Sequence, residues 1–148
     1  MELYNSEIDL ITVNEKIEAL RGEVSKVNIG QKSLIQWIIN GLLCNGHLLL
    51  EGNPGLAKTT SARCIAKTID SGFSRIQFTP DLMPADILGS YIFNPQLHQF
   101  EFKKGPVFSN IILIDEINRA PARTQSALFE VMEERQVSID GNQHSLDF

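Results

Sequence analysis

Apolar residues recur at Val13, Ile17, Leu20, Val24 and Val27, and these spacings of four and three predict a helix with one buried stripe. Thr12-Val13-Asn14-Glu15 fits a capping box, in which the cap hydroxyl and the glutamate satisfy free amide donors reciprocally. Asn28-Ile29-Gly30 breaks this helix. A second helix is expected from about Gln31 to Cys44, with Leu34, Ile35, Ile38, Ile39, Leu42 and Leu43 on a broad face, and Asn45-Gly46 turns the chain after it. His47-Leu48-Leu49-Leu50-Glu51 is a short apolar run suited to a buried parallel strand. A glycine-containing loop then leads into a helix from about Leu56 to Ile69.

The second half alternates in the same way. Ser74–Phe78 is expected to be a strand, and Thr79–Pro84 an irregular connection into a short helix at Ala85–Leu88. Ser90–Phe93 and Gln99–Lys103 flank Asn94-Pro95 as a hairpin, which Gly105-Pro106 ends. Asn110–Ile114 is a third buried strand, with Asp115 and Glu116 at its C-terminal end. Pro121 is placed to be the first residue of a helix running to about Glu134, with Thr124, Leu128, Val131 and Met132 along one side. Gln136–Asp140 and Gln143–Leu146 form a last hairpin around Gly141-Asn142. Strands alternating with helices give an α/β fold with a parallel sheet.

Composition narrows the class. The 148 residues, 43% hydrophobic and 21% charged, suit one ordinary soluble domain. A formal net charge of −5 disfavours a nucleic-acid partner, although a local basic groove can sit on an acidic protein. The start, MELYNSEIDL, lacks the basic region of a signal peptide. The longest apolar run, about Leu34 to Leu43, is interrupted by Gln36, Asn40 and Gly41 and is too short to span a bilayer. The expectation is a cytoplasmic protein. Cys44 and Cys64 have no metal-type spacing and read as buried, reduced thiols rather than a disulfide. His47, His98 and His144 are scattered and form no metal set.

The chemistry sits in EGNPGLAKTTSARC, residues 51–64. A strand turning sharply into a helix leaves backbone N–H groups pointing outward at the positive end of the helix dipole, where an anion is favoured. Gly52 and Gly55 allow close approach of phosphate oxygens, Lys58 supplies a point charge, and the Thr59 hydroxyl can join a Mg²⁺ shell. Ala57 stands where the pattern G-x-x-x-x-G-K-S/T has glycine. At the mouth of a helix its φ is near the right-handed value, so the alanine is tolerated and its N–H still faces the anion. The plainer alternative is a helix that merely follows a glycine-rich turn. The Asp-Glu strand end favours the phosphate reading: Asp115 would orient Mg²⁺ through its waters and Glu116 would polarise an attacking water.

The segments NIGQ, LEGNPGLAKT, IQFTPDLMPADILG and FKKGPVFSNIILIDEINRAPARTQSALFEVMEERQVSIDG resemble the MoxR family of AAA+ ATPases, from about Asn28 to Gly141. In that family alanine before the lysine is the usual form. The resemblance implies a P-loop NTPase three-layer sandwich, with an N-terminal helix over 1–27 and an incomplete nucleotide-binding core over 28–148. Walker A would be residues 52–59 and Walker B residues 111–116, with ATP and Mg²⁺ as cofactors. Ile29 and Gly30 would lie against the adenine. Gly52, Asn53, Pro54, Gly55, Leu56, Ala57, Lys58, Thr59 and Thr60 would hold the phosphates, Thr59 and Asp115 the metal, and Glu116 and Lys58 would be catalytic. Ser90–Lys103 would belong to an insert in helix 2 and Val137–Gln143 to a hairpin before sensor 1. The plainer reading is two surface hairpins with no partner.

Family members resemble chaperone-like machines that activate other proteins, as ring hexamers, often beside a von Willebrand A partner. The sequence offers no candidate for sensor 1, the arginine finger, sensor 2 or the helical lid. It is therefore expected to be the N-terminal part of a longer ATPase: a fragment, a truncated gene product, or a chain whose other half is supplied separately. Without the sensor 1 strand, 47–51 and 110–114 would lack the neighbour that completes their ladders. Three activities stay open: partner remodelling driven by ATP, nucleotide binding with little or no turnover, and, disfavoured by the charge, a nucleic-acid motor.

Overall fold

The computed structural model describes residues 10–27, 30–51 and 58–146, the side chain of Lys58 excepted. The chain divides into two compact units, Met1–Asp70 and Ser71–Phe148. Among the described residues no helix is long and apolar enough to cross a membrane.

Among the described residues the first unit holds three helices, α1 (Leu10–Val27), α2 (Lys32–Leu43) and α3 (Lys58–Thr68). On α1 the apolar stripe faces inward at Ile17, Leu20 and Val24, whereas Val13 and Val27 at its ends are exposed. Ile35, Ile38 and Ile39 of α2 and Ala62, Ile65 and Ala66 of α3 are buried, as their three- and four-residue spacing requires. A polar chain also ties α1 to α2: the Arg21 guanidinium donates to Glu18 and Gln36, and the Gln36 amide donates to Asn40 at 2.8 Å.

Three expectations fail in this unit. Helix α1 already runs at Leu10, so Thr12 lies inside it and does not cap it. Among the described residues the run 47–51 lies outside every sheet, and Leu49 is 80% exposed. Three leucines in a run of five residues make a strand only where a neighbouring strand hydrogen-bonds to them, and the strands of the parallel sheet described next pair with each other. The thiols are free, as expected, but Cys44 is exposed and Cys64 half-buried, because Cys44 falls at the end of α2 beyond its buried face.

The second unit carries β1 (Phe73–Gln77), α4 (Pro84–Leu88), β2 (Gly89–Asn94), β3 (Gln99–Lys104), β4 (Ile111–Asp115), α5 (Ala122–Glu134), β5 (Gln136–Ile139) and β6 (Asn142–Ser145). Single 3-10 turns stand at Pro106–Phe108 and Ile117–Arg119. Strands β1 and β4 pair in parallel, from Phe73 opposite Ile111 to Gln77 opposite Asp115. Under them Ile76, Phe78, Ile87, Val107, Leu128 and Val131 are buried together, with Ile112 and Ile114 packed against the cluster. Two part-buried hydroxyl bonds hold the connections down: Thr124 donates to the Leu82 carbonyl and Ser74 to the Pro106 carbonyl, each at 2.7 Å. The α/β fold and both hairpins read from the sequence are present.

The details that differ have local causes. Pro121 has ψ 146° and precedes the helix, which begins at Ala122. The second hairpin turns at Asp140-Gly141, both with positive φ, rather than at Gly141-Asn142. This is the Asp-Gly preference of a two-residue turn whose twist matches its strands.

The first hairpin leaves α4 through a tight pinch. Gly89 has φ +103°, and a Cβ there would meet the Lys103 carbonyl oxygen at 2.3 Å and the Gly105 nitrogen at 2.7 Å. Cross-strand pairing puts Tyr91, Phe93, Phe100 and Phe102 on one face of this hairpin. His144 of β6 stacks on Phe102 at 3.9 Å between centroids and meets the Tyr91 hydroxyl at 3.3 Å, joining the two hairpins. We predict that Gly89→Ala destabilises the chain by about 1–3 kcal/mol, from backbone strain and overpacking combined. Urea denaturation measures this, and an unchanged midpoint would contradict the pinch.

Candidate functional site

Asp115 is the last residue of β4, and its carbonyl accepts the Phe78 N–H at 2.9 Å, extending the ladder by one bond. The chain then turns at once. Glu116 adopts φ 58° and ψ 43°, a left-handed conformation, and its carbonyl accepts the Arg119 N–H at 2.9 Å to close the Ile117–Arg119 turn. A residue with a Cβ held there costs roughly 1–2 kcal/mol. Such residues concentrate where function fixes the geometry.

Both carboxylates are met by arginines. Arg75 Nε on β1 donates to Asp115 Oδ2 at 2.6 Å, and Arg119 Nε lies 3.2 Å from Glu116 Oε2. The Asp115 and Glu116 side chains are 30% and 48% exposed, so both ion pairs are reachable by solvent. Sequence reasoning missed both arginines. Arg119 sits three residues after Glu116, a spacing that could have revealed it. Arg75 carries no local signal. Its partner appears only once the register sets Arg75 opposite Leu113, which brings Arg75 and Asp115 onto one face as diagonal neighbours.

Of the remaining expected residues, Ile29 and the loop Gly52, Asn53, Pro54, Gly55, Leu56 and Ala57 lie outside the described residues. Lys58 opens α3, with Thr59 half-buried and Thr60 exposed in its first turn. Backbone N–H groups of a first helical turn have no partner within the helix, which suits an anion. Gly30 has φ +84°, a value that favours glycine, in the turn before α2. An open pocket of about 550 Å³ lies between α1 and α2, lined by Arg21, Lys32, Trp37 and Asn40 among others. None of the expected nucleotide residues lines it.

The donors at the end of β4 fit a hard divalent cation. Asp115 offers a solvent-reachable carboxylate oxygen, and Mg²⁺ takes one or two carboxylates while keeping several waters. Among the described residues no group of three or more His, Cys, Asp and Glu side chains could hold a metal ion, so a cage that replaces those waters is not built there.

Comparison with known proteins decides the family. Residues 47–148 match the ATPase family associated with various cellular activities, AAA. The chain belongs to this family. Within it the MoxR resemblance holds: the AAA chain is 52% identical to Chaperone MoxR1 of Mycobacterium tuberculosis over 119 residues, 80% of this chain and 32% of that protein. It is 46% identical to YeaC of Bacillus subtilis, again over 119 residues, 80% of this chain and 37% of the other. A crystal structure from Cytophaga hutchinsonii, of a protein assigned as an ATPase, superposes with a TM-score of 0.76 at 50% identity, covering 95% of this chain and 44% of that one. The AAA chain thus spans about a third of the length of these curated relatives.

The left-handed backbone at Glu116 yields a direct test. Glu116→Gly and Glu116→Ala remove the same carboxylate and the same ion pair. At a left-handed position the glycine variant is expected to be the more stable by about 1 kcal/mol, the reverse of the usual order. Parallel urea unfolding curves of the two variants measure the difference.

Proposed function

We propose that the chain is the nucleotide-binding portion of a MoxR-type AAA+ ATPase that couples Mg²⁺-dependent ATP hydrolysis to remodelling or activation of a partner protein. Residues 28–148 form its nucleotide-binding core in this reading. The observation that carries it is the end of β4, where Asp115 closes a parallel strand and Glu116 is held in strained backbone directly after it. Family membership and a relative named as a chaperone support the wider activity.

In this reading the backbone of 52–57 and the Lys58 ammonium hold the phosphates, and the Thr59 and Thr60 hydroxyls lie in the turn that follows. Ile29 and Gly30 contact the base. Asp115 and Thr59 hold the metal and its waters, and Mg²⁺ when bound neutralises charge that builds on the phosphates. Glu116 accepts the proton of the attacking water. The complete protein assembles as a ring, a hexamer by family likeness, in the cytoplasm, and a von Willebrand A protein is the partner class proposed.

A second reading is nucleotide binding with little turnover by this chain alone. The ion pairs favour it, because they occupy both carboxylates in the conformation described. A turnover assay on this chain and on any longer parent separates the two.

Lys58→Ala is expected to weaken ATP binding by about 1.5–3 kcal/mol, the usual value of a hydrogen bond to a charged group. Unchanged affinity in a calorimetric titration would count against the loop. Glu116→Gln in a hydrolytically active chain is expected to keep ATP binding while slowing turnover by roughly 10²–10⁴-fold. Wild-type turnover in that variant would remove its role as the base.

A further inference from the structure

We propose that Arg75 is an internal counter-ion for Asp115, one that occupies the carboxylate when no metal is bound and yields it when Mg²⁺-nucleotide arrives, thereby setting the magnesium concentration to which the site responds. This rests on the nucleotide-binding reading above.

The geometry separates this pair from an ordinary strap between strands. Five paired positions and the Phe78 N–H to Asp115 carbonyl bond already join β1 to β4, so the sheet does not need a side-chain link at its end. The arginine reaches across from mid-strand, diagonally, to the one residue of β4 that carries a carboxylate. The Glu116–Arg119 pair is different in kind: it is local, three residues apart, and longer at 3.2 Å against 2.6 Å.

Two cations cannot share a carboxylate without repelling each other, and a guanidinium opposes a divalent ion there more strongly than it would a monovalent one. A buried arginine would therefore block the site. Arg75 is instead 49% exposed at its side chain and can swing into water. An ion pair as exposed as this one holds its partner by only about two- to fivefold in an equilibrium, which a divalent ion carried by a nucleotide can overcome. The pair thus delays metal occupancy without forbidding it. In the meantime it neutralises the Asp115 carboxylate, as Arg119 does that of Glu116.

The test is the magnesium dependence of nucleotide affinity, read with a fluorescent ADP analogue on the whole chain. Wild type, Arg75→Gln, Arg75→Lys and Asp115→Asn are titrated with Mg²⁺ from an EDTA baseline. Arg75→Gln is expected to match wild type in EDTA and to need about two- to fivefold less Mg²⁺ for half its effect. Arg75→Lys is expected to stay near wild type, and Asp115→Asn to abolish the difference that Arg75→Gln makes. A midpoint that stays put in Arg75→Gln, or moves upward as a merely orienting arginine would make it, overturns the proposal. Should Arg75→Gln fail to fold, the wild-type Arg75 Nε–H resonance serves instead: it is expected to shift with MgADP and not with ADP in EDTA, and a resonance indifferent to Mg²⁺ overturns the proposal. A wild-type chain that binds no nucleotide at any Mg²⁺ concentration defeats the nucleotide reading and this one together. Binding with an unmoved midpoint defeats only the role of Arg75.

Discussion

The parallel pairing of β1 with β4 is the constraint on which the rest of the second unit depends. A parallel pair cannot be closed by a short turn, so the chain between the two strands must travel away and return. That excursion is the place for α4, the β2–β3 hairpin and the Pro106 turn. The register of the pair then decides three things at once. It buries Ile76 with Ile112 and Ile114 packed against the same core, it stops the strand at Asp115, and it brings Arg75 alongside that residue.

Where the ladder stops, the backbone has to change direction within one residue, and Glu116 absorbs the change in a left-handed conformation. The local strain is offset by the packing of α5 just beyond, where Thr124, Leu128 and Val131 are buried. That backbone sets the direction in which the Glu116 side chain leaves the chain, while the side chain itself stays 48% exposed. The arginines at 2.6 Å and 3.2 Å each meet one of the two acids at this turn.

The hairpins are built on a different principle. Gly89 and Gly105 approach so closely that neither could carry a side chain without displacing backbone, and this anchors the base of β2–β3. Aromatic contacts take over above the pinch: Phe102 stacks on His144 and meets Phe108 edge-on at 5.7 Å. Shared packing of this kind makes the two hairpins a joint structure, while Phe93 and Phe100 at the far end pair with each other in solvent.

The sequence by itself determined the alternation of helices and strands, both hairpins, the acid-tipped strand and the family to which these motifs point. These are local signals, carried by the period of apolar residues and by turn chemistry that neighbours in sequence settle among themselves. Tertiary structure alone decided the fate of 47–51, whose leucines fit a buried strand by pattern yet stand outside every sheet, because a strand is a property of a pair of segments and not of one. It likewise decided that Cys44 is exposed, that Thr12 lies inside its helix, and that Asp115 is met by Arg75. The aspartate and its arginine are 40 residues apart, and no spacing in the chain could announce a meeting that only the register of two strands creates.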